Sequence, residues 1–273
     1  MIQCRSMSTG GQVLRERDFH NDWASQISLE ELKVRESFEA CTALENRFVL
    51  RQMGNLRNKK ILDLGCGAGE TSVYFALKGA QVYASDISEG FLKIAHRLAD
   101  QHETSLQAVQ ADASRIPYED ESFDFVFGNG VLHHVDLMAA SREVSRVLKK
   151  GGKAFFIEPL PYNPAIAVYR KMAAAVRTED EKPLSFKELN RLRPLFSSFE
   201  HREFWFFTLL IFFHFFFVRG WHPGKVRYWK KVIDAAGEYK KMFTSLERTD
   251  EWILKTLPFL RPLCWNTVLT LTK

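Results

Sequence analysis

Apolar and polar positions change their spacing along the 273-residue chain. From 15 to 56 the apolar positions recur at helical intervals. Val34 and Phe38, Leu44 and Phe48, and Val49 and Met53 each lie four apart, with Leu32 opening the series. From Lys60 onward, short apolar runs alternate with amphipathic stretches. This pattern predicts strands near 60–64, 81–85, 106–110, 123–128 and 153–158, and helices near 69–78, 88–102 and 137–149, the last stopped by Gly151-Gly152. Such alternation implies right-handed crossovers, a parallel sheet, and a ligand site over the carboxyl ends of the first strands.

After Glu158 the pattern changes. Pro159-Leu160-Pro161-Tyr162-Asn163-Pro164 is rich in turn formers, and a helix is expected near 165–176. Ser185 followed by Glu188 has the spacing of a capping box. A strand is expected over about 200–207, and an alternating run over 265–271 closes the sheet beside it. The intervening 209–262 reads as a helical insertion packed over the mouth of the site.

The run 204–218 is almost wholly apolar and rich in phenylalanine. It is shorter than the roughly 20 residues that a membrane-spanning helix needs, which argues against a span. Two readings stay open. In one, a core strand leads into a helix packed on the domain. In the other, the segment dips into lipid or guides a greasy substrate, with Trp221, Tyr228 and Trp229 at headgroup depth and Arg219, Lys225, Arg227, Lys230 and Lys231 meeting anionic lipid. The net charge of +5 bears on this choice, because 219–261 holds ten Lys/Arg against five Asp/Glu and directly follows the apolar run.

Composition is that of a soluble globular protein, with 46% hydrophobic and 26% charged residues. Cys4, Cys41, Cys66 and Cys264 form no C-x-x-C pair, which argues against a disulfide framework or zinc site and suits a reducing cytosol. His214 and His222 lack carboxylate or cysteine company, so no metal is expected. The first six residues carry no apolar leader, and 1–14 reads as a flexible tail. A cytoplasmic location is expected, with peripheral membrane contact through 204–231 as the second reading.

The chemistry concentrates in Ile61-Leu62-Asp63-Leu64-Gly65-Cys66-Gly67-Ala68-Gly69-Glu70. A strand-like run feeds a glycine turn whose missing Cβ atoms let a ligand approach the backbone. Asp86 ends the next apolar run, about 20 residues on, where nucleotide-binding folds place a carboxylate against ribose hydroxyls. Glu70 stands where a dinucleotide fingerprint wants a third Gly or Ala, and an acid on that first helical turn repels pyrophosphate. Asp63 suits a positively charged ligand without phosphate, as S-adenosylmethionine is.

The run Asp63–Gly69, followed by Val82–Ser88, Ala111-Asp112-Ala113, Phe123–Phe127, Val131–Val135 and Val147–Gly152, resembles the ordered motifs of class I S-adenosylmethionine-dependent methyltransferases over roughly 45–160. It is most similar to the small-molecule branch that includes ubiquinone- and menaquinone-type enzymes. The resemblance implies an α/β Rossmann-like fold with a mainly parallel seven-stranded sheet. The expected organisation is a tail at 1–14, a helical segment at 15–56, the cofactor-binding domain at 57–208 and 263–273, and a helical cap at 209–262. It also implies that Gly65, Cys66, Gly67 and Gly69 cradle the methionine part beside Asp63. Asp86 would hold the ribose, Ile87 would lie against the adenine, Asp112 and Ala113 would meet its amino edge, and Asn129 and Gly130 would line the methyl end.

His133 and His134 follow the strand expected at 123–128, and either one serves as a base or both are structural; Glu158 is the next candidate base. His20, Trp23 and Tyr162 would close over the site from flanking segments. The expected reaction is in-line methyl transfer to a small apolar or aromatic molecule. The alternatives are a membrane-associated enzyme acting on a lipid or quinone-like substrate, and a non-catalytic adaptor. An NAD-dependent oxidoreductase is opposed by Glu70. A nucleic-acid methyltransferase is opposed because Gly128-Asn129-Gly130-Val131 stands where amino-methylating enzymes carry an Asn/Asp-Pro-Pro-aromatic motif.

Overall fold

The computed structural model describes residues 10–173 and 182–273. Seven strands form one sheet in the order β3-β2-β1-β4-β5-β7-β6. They are β1 (Lys60–Leu64), β2 (Gln81–Asp86), β3 (Gln107–Gln110), β4 (Phe123–Asn129), β5 (Leu148–Pro159), β6 (Ser198–Phe204) and β7 (Asn266–Thr272). The first five run parallel, and β7 pairs antiparallel with both β5 and β6. The strand order reverses between β1 and β4, so their carboxyl ends diverge and leave a crevice there.

Hydrophobic alternation sends the two faces of the sheet into different layers. Ile61, Phe127, Phe155 and Val268 pack with Val73, Phe75, Phe91 and Leu98 from α4 (Glu70–Leu77) and α5 (Glu89–Gln101). Leu62, Leu64, Val126 and Phe156 pack with Ala140, Val144 and Val147 of α6 (Leu137–Val147). Each fully buried Phe or Leu contributes roughly 1.5–3 kcal/mol relative to exposure. Asp136 starts α6 by accepting the N–H groups of Met138 at 3.0 Å and Ala139 at 2.8 Å, a cap worth about 1 kcal/mol.

The expected parallel sheet, its closing strand and the helical insertion between the last two strands are all present. Four details differ. First, α6 ends at Val147, because Leu148 already has extended backbone, and Gly151-Gly152 sits inside β5. A Cβ on Gly152 would meet three backbone carbonyls within 3.2 Å, so that glycine serves strand contact and not a helix stop. Second, the helical stretch at 15–56 is broken into α1 (Gly10–Ser25), the short α2 (Glu36–Glu39) and α3 (Leu44–Met53). Third, residues 10–14 of the expected tail belong to α1, and 1–9 lie outside the described residues. Fourth, the helix expected at 165–176 is α7 (Pro164–Met172), capped by Asn163, and 174–176 again lie outside them. The Ser185–Glu188 capping box forms, on the single turn α8 (Phe186–Leu189).

The strand expected to reach residue 207 stops at Phe204. Trp205 takes φ +70, and Asp250 pulls the next three residues out of the sheet. Its carboxylate accepts the N–H groups of Phe206 (3.1 Å), Phe207 (2.6 Å) and Thr208 (3.2 Å), and the Thr208 hydroxyl (2.8 Å). The insertion then forms α9 (Leu210–Phe217), α10 (Tyr228–Asp234) and α11 (Ala236–Thr256), the last carrying Asp250. Among the described residues, no helix is long and apolar enough to cross a membrane.

Candidate active site

A cavity of about 540 Å³ opens over the carboxyl ends of β1, β2 and β4. The glycine turn after β1 forms its floor. Gly65 and Cys66 both donate backbone N–H to Ser85 O, at 2.8 and 3.0 Å, which bends the turn towards the neighbouring strand. Gly67 donates to Asp86 Oδ2 at 2.8 Å, and Ser88 N donates to Oδ1 at 2.8 Å. Both carboxylate oxygens are thus anchored to backbone. Burial pushes the Asp86 carboxyl up, and these N–H bonds offset part of that. Asp63, one strand over, accepts the Ser72 hydroxyl at 2.6 Å; burial, with the nearby Asp86 charge, pushes it up to about 7.

The structure brings most of the expected residues to this cavity. Asp63, Gly65, Cys66, Gly67, Asp86, Ile87, Asp112, Ala113, Asn129, Gly130, His133 and His134 all line it, as do His20 and Trp23 from α1. Gly69 does not. It lies behind the turn at φ +89, where a Cβ would come within 2.5 Å of Ala95 Cβ, so it allows α4 and α5 to approach. Glu158 is also set back. It is fully enclosed, with Oε1 accepting the N–H groups of Val131 (3.0 Å) and Leu132 (2.8 Å) and Oε2 held 2.7 Å from His133 Nδ1. It can act only through His133, which corrects its expected role as a base. Tyr162 is occupied elsewhere, accepting the Phe186 N–H at 2.9 Å.

The cavity suits a phosphate-free cation with a sugar. A Cβ on Gly67 would project into open space, which leaves room for a ligand against the backbone. Asp63, Asp86 and Asp112 line that space. At the first turn of α4, Glu70 lines the cavity and accepts Lys33 N–H at 2.7 Å, which puts an acid where a pyrophosphate would need the helix end clear. S-adenosylmethionine has this charge pattern, and the residues fit it.

The far end of the cavity is aromatic, and sequence reasoning missed it. Tyr169, Trp205 and Trp265 line it, and their rings also pack on Phe212 of α9. Glu45 on α3 accepts the Trp205 indole N–H at 2.8 Å and the Asn266 amide at 2.7 Å on one oxygen, and burial pushes its carboxyl up. The roof is α10, which presents Trp229, Lys230, Val232 and Ile233. It is held by Thr42, whose hydroxyl donates to Val232 O at 2.9 Å, and by Arg227, whose guanidinium lies 3.8 Å from the Trp23 ring centroid. The pairs Glu45–Trp205, Glu45–Asn266, Thr42–Val232 and Trp23–Arg227 each join residues 160 or more positions apart, so no local motif announces them.

Three residues of the lipid-facing expectation turn inward, while Trp229 stays 40% exposed. Tyr228 is buried, with its hydroxyl donating to Trp221 O, and Arg227 turns inward onto Trp23. Trp221 packs on Phe215 at 5.0 Å. The outward apolar face belongs to α9 itself, where Leu210, Phe213 and Phe217 are exposed while Ile211, Phe212 and Phe215 are buried.

Known proteins match this arrangement. Residues 62–156 fit a family model described as "Methyltransferase domain". A demethylmenaquinone methyltransferase of Staphylococcus aureus (strain JH9) is 33% identical over 144 residues, which cover 50% of this chain and 57% of that protein. The match thus spans a little over half the length of that curated relative. Among solved structures, phosphoethanolamine N-methyltransferase 2 of Haemonchus contortus superposes with a TM-score of 0.56 at 17% identity, over 85% of this chain and 52% of its own. A SAM-dependent methyltransferase from Thermotoga maritima superposes with a TM-score of 0.52 at 21% identity, over 79% and 89%. At those identities the two structures speak for the fold alone. Residues 62–156 thus form a methyltransferase domain, and the strand order and glycine turn around it are similar to those of class I S-adenosylmethionine-dependent methyltransferases.

Proposed function

We propose that the protein transfers the methyl group of S-adenosylmethionine to a small acceptor with an apolar or aromatic body. The observation that carries this reading is one cavity that joins the acids and the glycine turn with an aromatic cluster of Tyr169, Trp205 and Trp265. Gly65, Cys66 and Gly67 would hold the methionine part beside Asp63. Asp86 would hold the ribose, Ile87 with Asp112 and Ala113 the adenine, and Asn129 and Gly130 would border the methyl. The bound group supplies a methyl already activated by its sulfonium, so the protein's work is positioning and exclusion of water. In this reading the aromatic residues hold the acceptor, and His133 and His134, which line the same cavity, are the groups able to take its proton.

Calorimetry with S-adenosylmethionine and S-adenosylhomocysteine tests the cofactor half, and an adaptor without the cofactor shows no heat with either. Methyl transfer to demethylmenaquinol and to 1,4-dihydroxynaphthalene tests the acceptor half.

A quinone-like or lipid acceptor delivered from a membrane surface is the second reading, supported by the exposed face of α9. Phe213 and Phe217 stack there at 6.3 Å, and the stretch after them is rich in Lys and Arg. The Staphylococcus aureus relative is named for a quinone substrate, which fits this reading.

A further inference from the structure

We propose that the acceptor carries a protonated amine, and that the buried carboxylate of Glu45 is the subsite that holds it. This deepens the methyltransfer reading above and rests on it. Glu45 lies in the first turn of α3, is 8% exposed and lines the cavity. Its Oε1 accepts both the Trp205 indole N–H and the Asn266 amide. Those two neutral donors need only a neutral acceptor, and a glutamine carbonyl would serve them. Among the described residues no Lys, Arg or His forms an ion pair with Glu45, and no other residue donates to Oε2. A buried carboxylate without a cation beside it is costly, and the fold itself makes no use of this charge. An ammonium entering the cavity supplies the missing partner.

The rings beside Glu45 favour the same charge. Trp205 and Trp265 stand edge to face with centroids 5.8 Å apart, and Tyr169 lies 6.5 Å from Trp265. All three line the cavity. The face of an aromatic ring attracts a cation, and aromatic cages hold alkylammonium groups on this principle. The cavity as a whole has the matching sign. Of the described residues, eight Asp and Glu line it against three Lys and Arg, although the whole chain carries a net charge of +5.

Topology separates this subsite from the cofactor end. Asn266 opens β7 and pairs with Pro159, the last residue of β5. In the order of the sheet, β7 stands three strands from β1 and four from β2. At about 4.8 Å per strand, β7 runs roughly 14 Å from β1 and roughly 19 Å from β2. The amine that Glu45 meets therefore belongs to the acceptor, while the α-ammonium of S-adenosylmethionine falls to the acids at the glycine turn.

The test is calorimetry on the full chain, saturated with S-adenosylhomocysteine at about pH 7, where alkylamines are protonated. The probes are tryptamine and 2-phenylethylamine, each against the alcohol of the same shape, tryptophol and 2-phenylethanol. At least one amine should bind with a Kd of about 1 mM or tighter, and at least tenfold better than its alcohol. Glu45→Gln should lower amine affinity at least tenfold, while the affinities for the alcohol and for S-adenosylhomocysteine stay within about threefold. The proposal is overturned if neither amine binds, if the alcohols bind as well as the amines, or if the preference survives Glu45→Gln. A loss of more than tenfold in S-adenosylhomocysteine affinity on Glu45→Gln also overturns it, because Glu45 then serves the cofactor. If Glu45→Gln does not fold, a crystal structure of the wild type with the tighter amine decides the matter. Its nitrogen should lie within about 3.2 Å of a Glu45 oxygen, and a nitrogen seated elsewhere overturns the proposal. Failure of the wild type to bind S-adenosylhomocysteine would instead remove the methyltransfer reading.

Discussion

Gly67 donates its backbone N–H to Asp86 at 2.8 Å, so the glycine turn and the carboxylate that ends β2 form one bonded unit. Because the second oxygen is held by Ser88 N, the carboxylate cannot swing away from the cavity. Replacing Asp86 by alanine removes both acceptors and the group that would bind the ribose. Affinity for S-adenosylhomocysteine should fall about 10- to 100-fold, the loss expected from hydrogen bonds to a charged group. Isothermal calorimetry on the folded variant checks this, and unchanged affinity would remove Asp86 from the site.

The glycines of the turn separate stability from binding. Gly69→Ala drives a Cβ to within 2.5 Å of Ala95 Cβ and 2.8 Å of its Cα, at φ +89. Overpacking and left-handed backbone together should cost about 2–4 kcal/mol. Gly67→Ala meets nothing within 4 Å, so its stability loss should stay near the roughly 1 kcal/mol of backbone strain while its Cβ intrudes on the ligand. Denaturant melts and calorimetry on both variants should show Gly69→Ala as the less stable and Gly67→Ala as the weaker binder.

Asp63 sets a pH dependence with a definite sign. Its carboxyl is pushed up to about 7 from the ordinary aspartate value of about 4, mainly by burial. The protonated form is therefore favoured in the fold. This contribution to stability is fully present below about pH 4 and is lost as pH rises through about 7. Melting temperature of the ligand-free protein should fall over that window more than that of Asp63→Asn. A cationic ligand favours the ionised carboxylate, so S-adenosylmethionine binding should tighten over pH 6 to 8 with proton release. Calorimetry in buffers of different ionisation heat measures that release. A pH-independent affinity would contradict the assignment.

Glu45 ties the aromatic end together. Truncation to alanine orphans the buried Trp205 indole N–H and one Asn266 N–H, which should cost about 2–5 kcal/mol. Glu45→Gln keeps an acceptor and should cost less than half of that. Urea melts rank the pair, and equal losses would mean that the bonds to Trp205 and Asn266 carry little of the energy.

The two faces of α9 predict opposite outcomes. Phe215 is fully buried, and Phe215→Ala should cost about 3–5 kcal/mol. Phe213→Glu with Phe217→Glu should leave the melting temperature within about 2 °C, since both side chains are exposed. The same pair should abolish co-sedimentation with anionic vesicles if this face meets lipid. Wild-type protein that stays in the supernatant would sink the membrane reading.

The sheet and the cofactor end were legible because they are local. β1, its glycine turn, α4 and Asp86 lie within one stretch of chain, and each needs a particular residue type for a reason internal to that stretch: alternation for the strand, no Cβ at Gly67, a carboxylate at the end of β2. Periodicity alone does not report where side chains meet. It could not say that Gly69 serves Ala95 and not the ligand, that Glu158 is sealed behind His133, or that Tyr228 and Arg227 turn inward.

What the amino-acid order determined unaided was the α/β layout, the type of ligand at the glycine turn and the helical insertion before the final strand. Only the tertiary structure decided the acceptor end. Glu16, Glu45, Tyr169, Trp229 and Trp265 reach one cavity from α1, α3, α7, α10 and the approach to β7, elements that meet because their apolar faces must be buried together. Contacts of that kind depend on packing between distant segments, and no spacing along the chain encodes them.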